Sequence, residues 1–136
     1  MRVETRPAGR SYTIARRLPG SVGEIRGAVE AALKAEGFGV LTEIGVAATM
    51  KARLGVDGRP YLILGACNPR LAHAALEAEP SIGALLPCNV VLREIEGETA
   101  VEALDPRAAL GIASSPLVAP IAEEARERLA RVVASL

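Results

Sequence analysis

The run Pro60-Tyr61-Leu62-Ile63-Leu64-Gly65-Ala66-Cys67 constrains the fold more than any other segment. In an extended strand successive side chains point to opposite faces. Tyr61, Ile63 and Gly65 then share one face and Leu62, Leu64 and Ala66 the other, so neither face is polar. A strand without a wet face predicts a position in the middle of a sheet that is covered on both sides. Asn68-Pro69 follows at once. Asparagine accepts from the exposed amides of a helix start, and proline fits the first helical position. This predicts a strand-to-helix junction at Cys67 and a helix to about Glu79 that buries Leu71, Ala72, Ala75 and Leu76.

The same reasoning divides the rest of the chain. Residues 10–17 read as a first strand, with Tyr12 and Ile14 on one face. Ser21 and Glu24 form a capping box. Val22, Ile25, Val29, Ala32 and Leu33 follow at helical spacing, Glu30 and Lys34 can pair on the wet face, and Gly37 suits a helix end. Phe38 to Val46 reads as a second strand whose glycines predict a bulge, and Ala47 to Leu54 as a short, ambiguous helix. Cys88 to Ile95 and Thr99 to Leu104 read as a hairpin around Glu96-Gly97-Glu98. The last helix begins near residues 115–120, with Val118, Ile121, Ala125, Leu129, Val132 and Leu136 in one stripe. Its Glu124/Arg128 and Glu127/Arg131 spacings suit ion pairs. The order of elements predicts one α+β domain, a mostly antiparallel sheet with helices packed on it, over residues 1–136.

Composition narrows the function. Sixteen basic residues balance sixteen acidic ones, and Tyr12, Phe38 and Tyr61 are the only aromatic residues. No long-range field favours nucleic acid or an anionic membrane. No apolar run is long enough to span a bilayer, and the Met1-Arg2-Val3-Glu4 start has no secretory pattern. A cytoplasmic protein with reduced thiols is expected.

The chemistry-bearing side chains are concentrated. The sequence has no glutamine, and its only cysteines and asparagines are the pairs Cys67-Asn68 and Cys88-Asn89. If the two strands pair near these ends, both sulfurs enter one neighbourhood. Cys67, just before a helix, is placed for a lowered thiol pKa, and Arg70 adds positive charge. Three readings compete: buried packing by two small thiols with the asparagines as caps and braces, thiol redox chemistry, and binding of a metal or small anion. Two thiols and the single histidine, His73, do not complete a zinc set in one chain, so neither metal nor cofactor is expected. His73 and Glu77 read as a solvated pair four residues apart. Glu43, an acid within an apolar strand, reads as edge or solvent-facing.

Three segments resemble the family known as domain of unknown function 302: Gly37-Phe38-Gly39-Val40-Leu41-Thr42-Glu43-Ile44, Tyr61-Leu62-Ile63-Leu64-Gly65-Ala66-Cys67-Asn68-Pro69, and Leu85-Leu86-Pro87-Cys88-Asn89-Val90-Val91. The resemblance implies a single curved sheet with helices on it, in the TATA-box-binding-protein-like β-α-β(4)-α topology, and a dimer. It brings no established activity. It does not imply DNA binding either, since the neutral, aromatic-poor chain lacks the surface for it.

The expectation is therefore a non-enzymatic cytoplasmic domain that binds a small ligand or a partner as a homodimer. The candidate site is Cys67, Asn68, Arg70, Cys88 and Asn89. The alternative is a thiol-redox or sulfur-handling protein that uses Cys67 and Cys88. A purely structural role for both Cys-Asn pairs is the third reading.

Overall fold

The computed structural model describes residues 3–4 and 12–136. The strands are β1 (Val3–Glu4), β2 (Thr13–Pro19), β3 (Gly39–Gly45), β4 (Tyr61–Cys67), β5 (Cys88–Ile95) and β6 (Glu98–Leu104). The α-helices are α1 (Val22–Ala35), α2 (Val46–Leu54), α3 (Pro69–Ala78), α4 (Pro106–Leu110) and α5 (Val118–Ala134), with a 3-10 turn at Pro80–Leu85. One sheet runs in the order β1-β2-β6-β5-β4-β3, and every neighbouring pair is antiparallel. Apart from the two-residue β1, this is the expected β-α-β(4)-α order, with α2, α3 and α4 added in the connections.

Local chemistry explains the boundaries. Ser21 Oγ accepts from the Glu24 amide at 3.2 Å and Glu24 accepts from the Ser21 amide at 3.3 Å, which closes the capping box at the start of α1. Gly37, at φ +85°, turns the chain from α1 into β3. The register of β3 on β4 slips between Val40 and Thr42, the bulge the glycines predict. Between β5 and β6, Glu96 and Gly97 both have positive φ, 51° and 79°, as a tight two-residue hairpin loop requires. Of the first strand, residues 10–11 lie outside the described residues. Tyr12 precedes β2 and is exposed, whereas Ile14 is buried.

Helices α1 and α5 lie on one face of the sheet. There Leu33, Leu64, Leu92, Val101 and Leu129, all fully buried, pack with Phe38 into an aliphatic core. A smaller cluster of Ala75, Ile82, Leu110, Val118 and Ala122 joins α3, α4 and α5.

Two expectations need correction. β4 is an internal strand, as its sequence demands, but it is covered on one face only. Leu64 and Ala66 are buried under helices, whereas Tyr61 is exposed and Ile63 half-buried on the other side. Leu76 is 40% exposed, not core, because α3 leans on its Leu71 and Ala75 edge. Of the expected ion pairs, Glu124 and Arg128 do meet, at 2.9 Å. Glu30 instead bonds Arg26, four residues back on α1, at 2.9 Å, and Arg131 reaches Glu36 at 3.0 Å, a tertiary partner that spacing along α5 does not reveal.

Gly65 marks a close approach. A Cβ there would collide with Thr42 Oγ1 and stand 3.0 Å from Pro87 Cγ. Gly65→Ala is expected to cost about 1–3 kcal/mol of stability through overpacking. Adding Thr42→Ala should return most of that loss in a urea-melt double-mutant cycle. Equal losses in the single and double variants would show that Thr42 is not the obstacle.

Candidate functional site

Cys67 ends β4 and Cys88 begins β5. Ala66 stands directly opposite Cys88 in the ladder, so Cys67, one residue on, directs its side chain to the other face of the sheet end. Both line a single cavity of about 30 Å³ between the sheet end and helices α3 and α5. Its other walls are almost wholly aliphatic and aromatic, among them Phe38, Ala66, Leu71, Ala75, Leu86 and Pro87. That volume admits one water-sized guest. Cys88 is buried and Cys67 half-buried, and both thiols are free.

Asn68 borders the same cavity and is itself buried. Its Oδ1 accepts from the Leu71 amide at 3.2 Å, while its Nδ2 donates to the Glu36 carbonyl at 3.4 Å. One side chain thus caps α3 and ties it to the end of α1.

The other candidate residues are not gathered here. Asn89 pairs with Gly65 and is exposed on the opposite face of the sheet from Cys88, as strand alternation requires. Arg70 is drawn away to Glu124 on α5. Its guanidinium joins Arg128 in holding the Glu124 carboxyl below the usual range, with the Arg128 hydrogen bond the larger cause. His73 is exposed, 3.8 Å from Glu77, as its spacing predicts. Glu43 is exposed on the edge strand and bonds Arg26 at 2.5 Å.

The expected lowering of the Cys67 pKa is overturned: burial raises that thiol. The structure supplies the reason. Pro69 has no amide hydrogen, the Leu71 amide is taken by Asn68 Oδ1, and the Ala72 amide bonds the Asn68 carbonyl at 2.8 Å. The start of α3 has few donors left for sulfur. Burial pushes Cys88 higher still, to about 11, with a further push from Cys67. Both groups are thiols, not thiolates, at neutral pH, and both are poor nucleophiles.

This has a pH consequence. Cys88 holds its proton more tightly folded than unfolded, so its contribution is fully present below its ordinary pKa of 9.0 and is lost as pH rises to about 11. Across that window the wild type should lose roughly 2–3 kcal/mol that Cys88→Ala does not lose. Parallel urea melts at several alkaline pH values measure the difference; parallel slopes would remove the assignment.

Sequence reasoning missed a second feature. Val46, Met50, Val56, Tyr61, Arg93 and Ile95 line a groove of about 440 Å³ between α2 and the uncovered sheet face. The signal was present in the apolar Tyr61/Ile63 face of β4, which no adjacent sequence pattern supplied with a cover.

The architecture defines a class, an α+β domain whose helices pack on one antiparallel sheet and whose strand ends carry two Cys-Asn pairs. The family model for a domain of unknown function, DUF302, matches residues 14–136, and the chain belongs to that family. It is also similar to a crystal structure of an uncharacterized conserved DUF302 protein from Bacillus stearothermophilus, with 29% identity and a TM-score of 0.84 over 90% of this chain and 96% of that one. No curated protein matches. Among the described residues, no helix is long and apolar enough to cross a membrane.

Proposed function

We propose that the protein is a non-enzymatic binding domain that works as a homodimer, and that two copies meet through the uncovered sheet face around β3, β4 and α2. The observation that carries this is α2. It is nine residues long and none of them is buried. Helices shorter than about 12–15 residues are marginal in water on propensity alone. Met50 is 44% and Leu54 70% exposed, and Ile44 on the adjoining strand is 49% exposed. Clustered apolar side chains of this kind mark an interaction surface.

A second copy is the occupant that the charges favour. Three cations around this face have anions of the same chain: Lys51 with Asp57, Arg59 with Glu94, and Arg93 with Glu102. A largely apolar face is self-complementary, which a twofold contact requires. β3 is also the edge of the sheet, and an open edge accepts another strand.

Two arguments support a role without catalysis. Both thiols stay protonated, and His73 is engaged with Glu77 on an exposed side of α3. A small ligand would enter the groove beside α2. The reading includes a cytoplasmic location, where two free thiols remain reduced. A second reading, thiol-redox or sulfur handling, is favoured by the cavity that Cys67 and Cys88 share and opposed by their raised pKa values. Sedimentation equilibrium tests the first reading: the expected mass is twice the 14.1-kDa chain, and a single-chain mass at every concentration would remove it.

A further inference from the structure

The groove between α2 and the open sheet face carries the chemistry to choose its ligand. We infer that it takes a planar aromatic monocarboxylate, with the ring laid on Tyr61 and Arg93 and the carboxylate turned to Arg59. The inference rests on the reading that a small ligand enters this groove, and names its class. Four observations support it. The volume, about 440 Å³, lies within the range of small-molecule sites. Tyr61 and Arg93 both line the groove and are direct partners in the β4–β5 ladder, so their side chains stand next to each other on one face. Glu102 holds the Arg93 guanidinium in one orientation, through Nε at 2.6 Å and a second nitrogen at 3.3 Å. Arg59, at the groove's rim, keeps donors to spare.

The lining selects a flat ring. A phenol ring and a fixed guanidinium are both planar, and both stack on an aromatic face. Val46 and Met50 of α2 supply the wall, and a thioether makes favourable contact with a ring edge. An aliphatic chain would fill the same space without the stacking. The charges select an anion. Lys51 holds Asp57 at 2.8 Å, and Glu94 accepts from the Gly97 amide at 3.3 Å. Arg59 Nε stands 4.0 Å from Glu94, beyond hydrogen-bond reach, and its side chain is 71% exposed. Among the described residues, Arg59 is thus the groove's cation without a hydrogen-bonded partner. Its planar fork matches the two oxygens of one carboxylate.

The test titrates the full chain into naphthoate and reads the fluorescence anisotropy of the probe. The chain has no tryptophan, so excitation beyond the tyrosine band reports the probe alone. One naphthoate per chain is expected. Octanoate, measured by displacement, and naphthamide, titrated directly, should each bind about tenfold more weakly, for want of the ring and of the charge. Arg59→Gln should weaken naphthoate by about tenfold and leave naphthamide unchanged. Tyr61→Leu should weaken naphthoate by about fivefold and leave octanoate unchanged. Circular dichroism confirms that both variants are folded, and Arg59→Gln, at the exposed position, serves if the Tyr61 variant is not. Undiminished naphthoate affinity in a folded variant would overturn the site. Octanoate binding as tightly as naphthoate would overturn the aromatic class while leaving a ligand groove in place. Binding of neither acid would remove the inference together with the reading beneath it.

Discussion

Leu129→Ala should lower the free energy of unfolding by about 3–4 kcal/mol and the melting temperature by roughly 10 °C. Leu129 is fully buried in the cluster that joins α5 to the sheet, beside Leu33, Leu64 and Leu92. Removing its branched end leaves a cavity in a core with a single phenylalanine, Phe38, and no larger ring to relax into the gap. Leu76→Ala is the matched control. Leu76 is 40% exposed, so its loss should cost less than about 1 kcal/mol. Urea melts of the two variants separate the core stripe from the exposed side of α3. Similar costs would mean that the helices do not pack as described.

The second large effect concerns association. In Met50→Glu/Leu54→Glu, two carboxylates replace apolar side chains on a helix that buries nothing within its own chain. The isolated fold should therefore tolerate the change. A dimer that covers this face must desolvate both charges, at about 4 kcal/mol or more, which weakens association by roughly a thousandfold. The expected product is a folded monomer whose unfolding midpoint is close to that of the diluted wild type. Light scattering beside far-UV circular dichroism distinguishes it from an unfolded chain. A dimer of unchanged affinity would show that the uncovered face has another use.

The legible parts of the fold were those written in local chemistry. The Ser21/Glu24 box, the Asn68-Pro69 helix start, the Gly37 turn and the Glu96-Gly97 hairpin each depend on a few adjacent residues, and each is present. The α5 stripe was legible because periodicity alone identifies a face that must be buried. What failed depended on the third dimension. The apolar run of β4 demanded two covered faces, yet no local pattern says whether the second cover comes from the same chain. Arg131 found a partner, Glu36, that spacing along one helix could not name.

The candidate site divides in the same way. Cys67 and Cys88 border one cavity because the antiparallel β4–β5 ladder returns the chain to the same sheet end. Strand alternation then sends Asn89 to the other face, and Glu124 claims Arg70. The repeated Cys-Asn motif is thus chemically unequal. One asparagine caps α3 from a buried position, and the other faces outward.

Hydrogen exchange at the α2 amides, at protein concentrations on both sides of dimer dissociation, addresses most directly whether a second copy covers the open side of the sheet. The expected result is slow exchange in α2 and β3 at high concentration that becomes fast on dilution, while α1 and α5 stay equally protected throughout. Protection in α2 that does not vary with concentration, in a chain that sediments with its single-chain mass, would contradict the account.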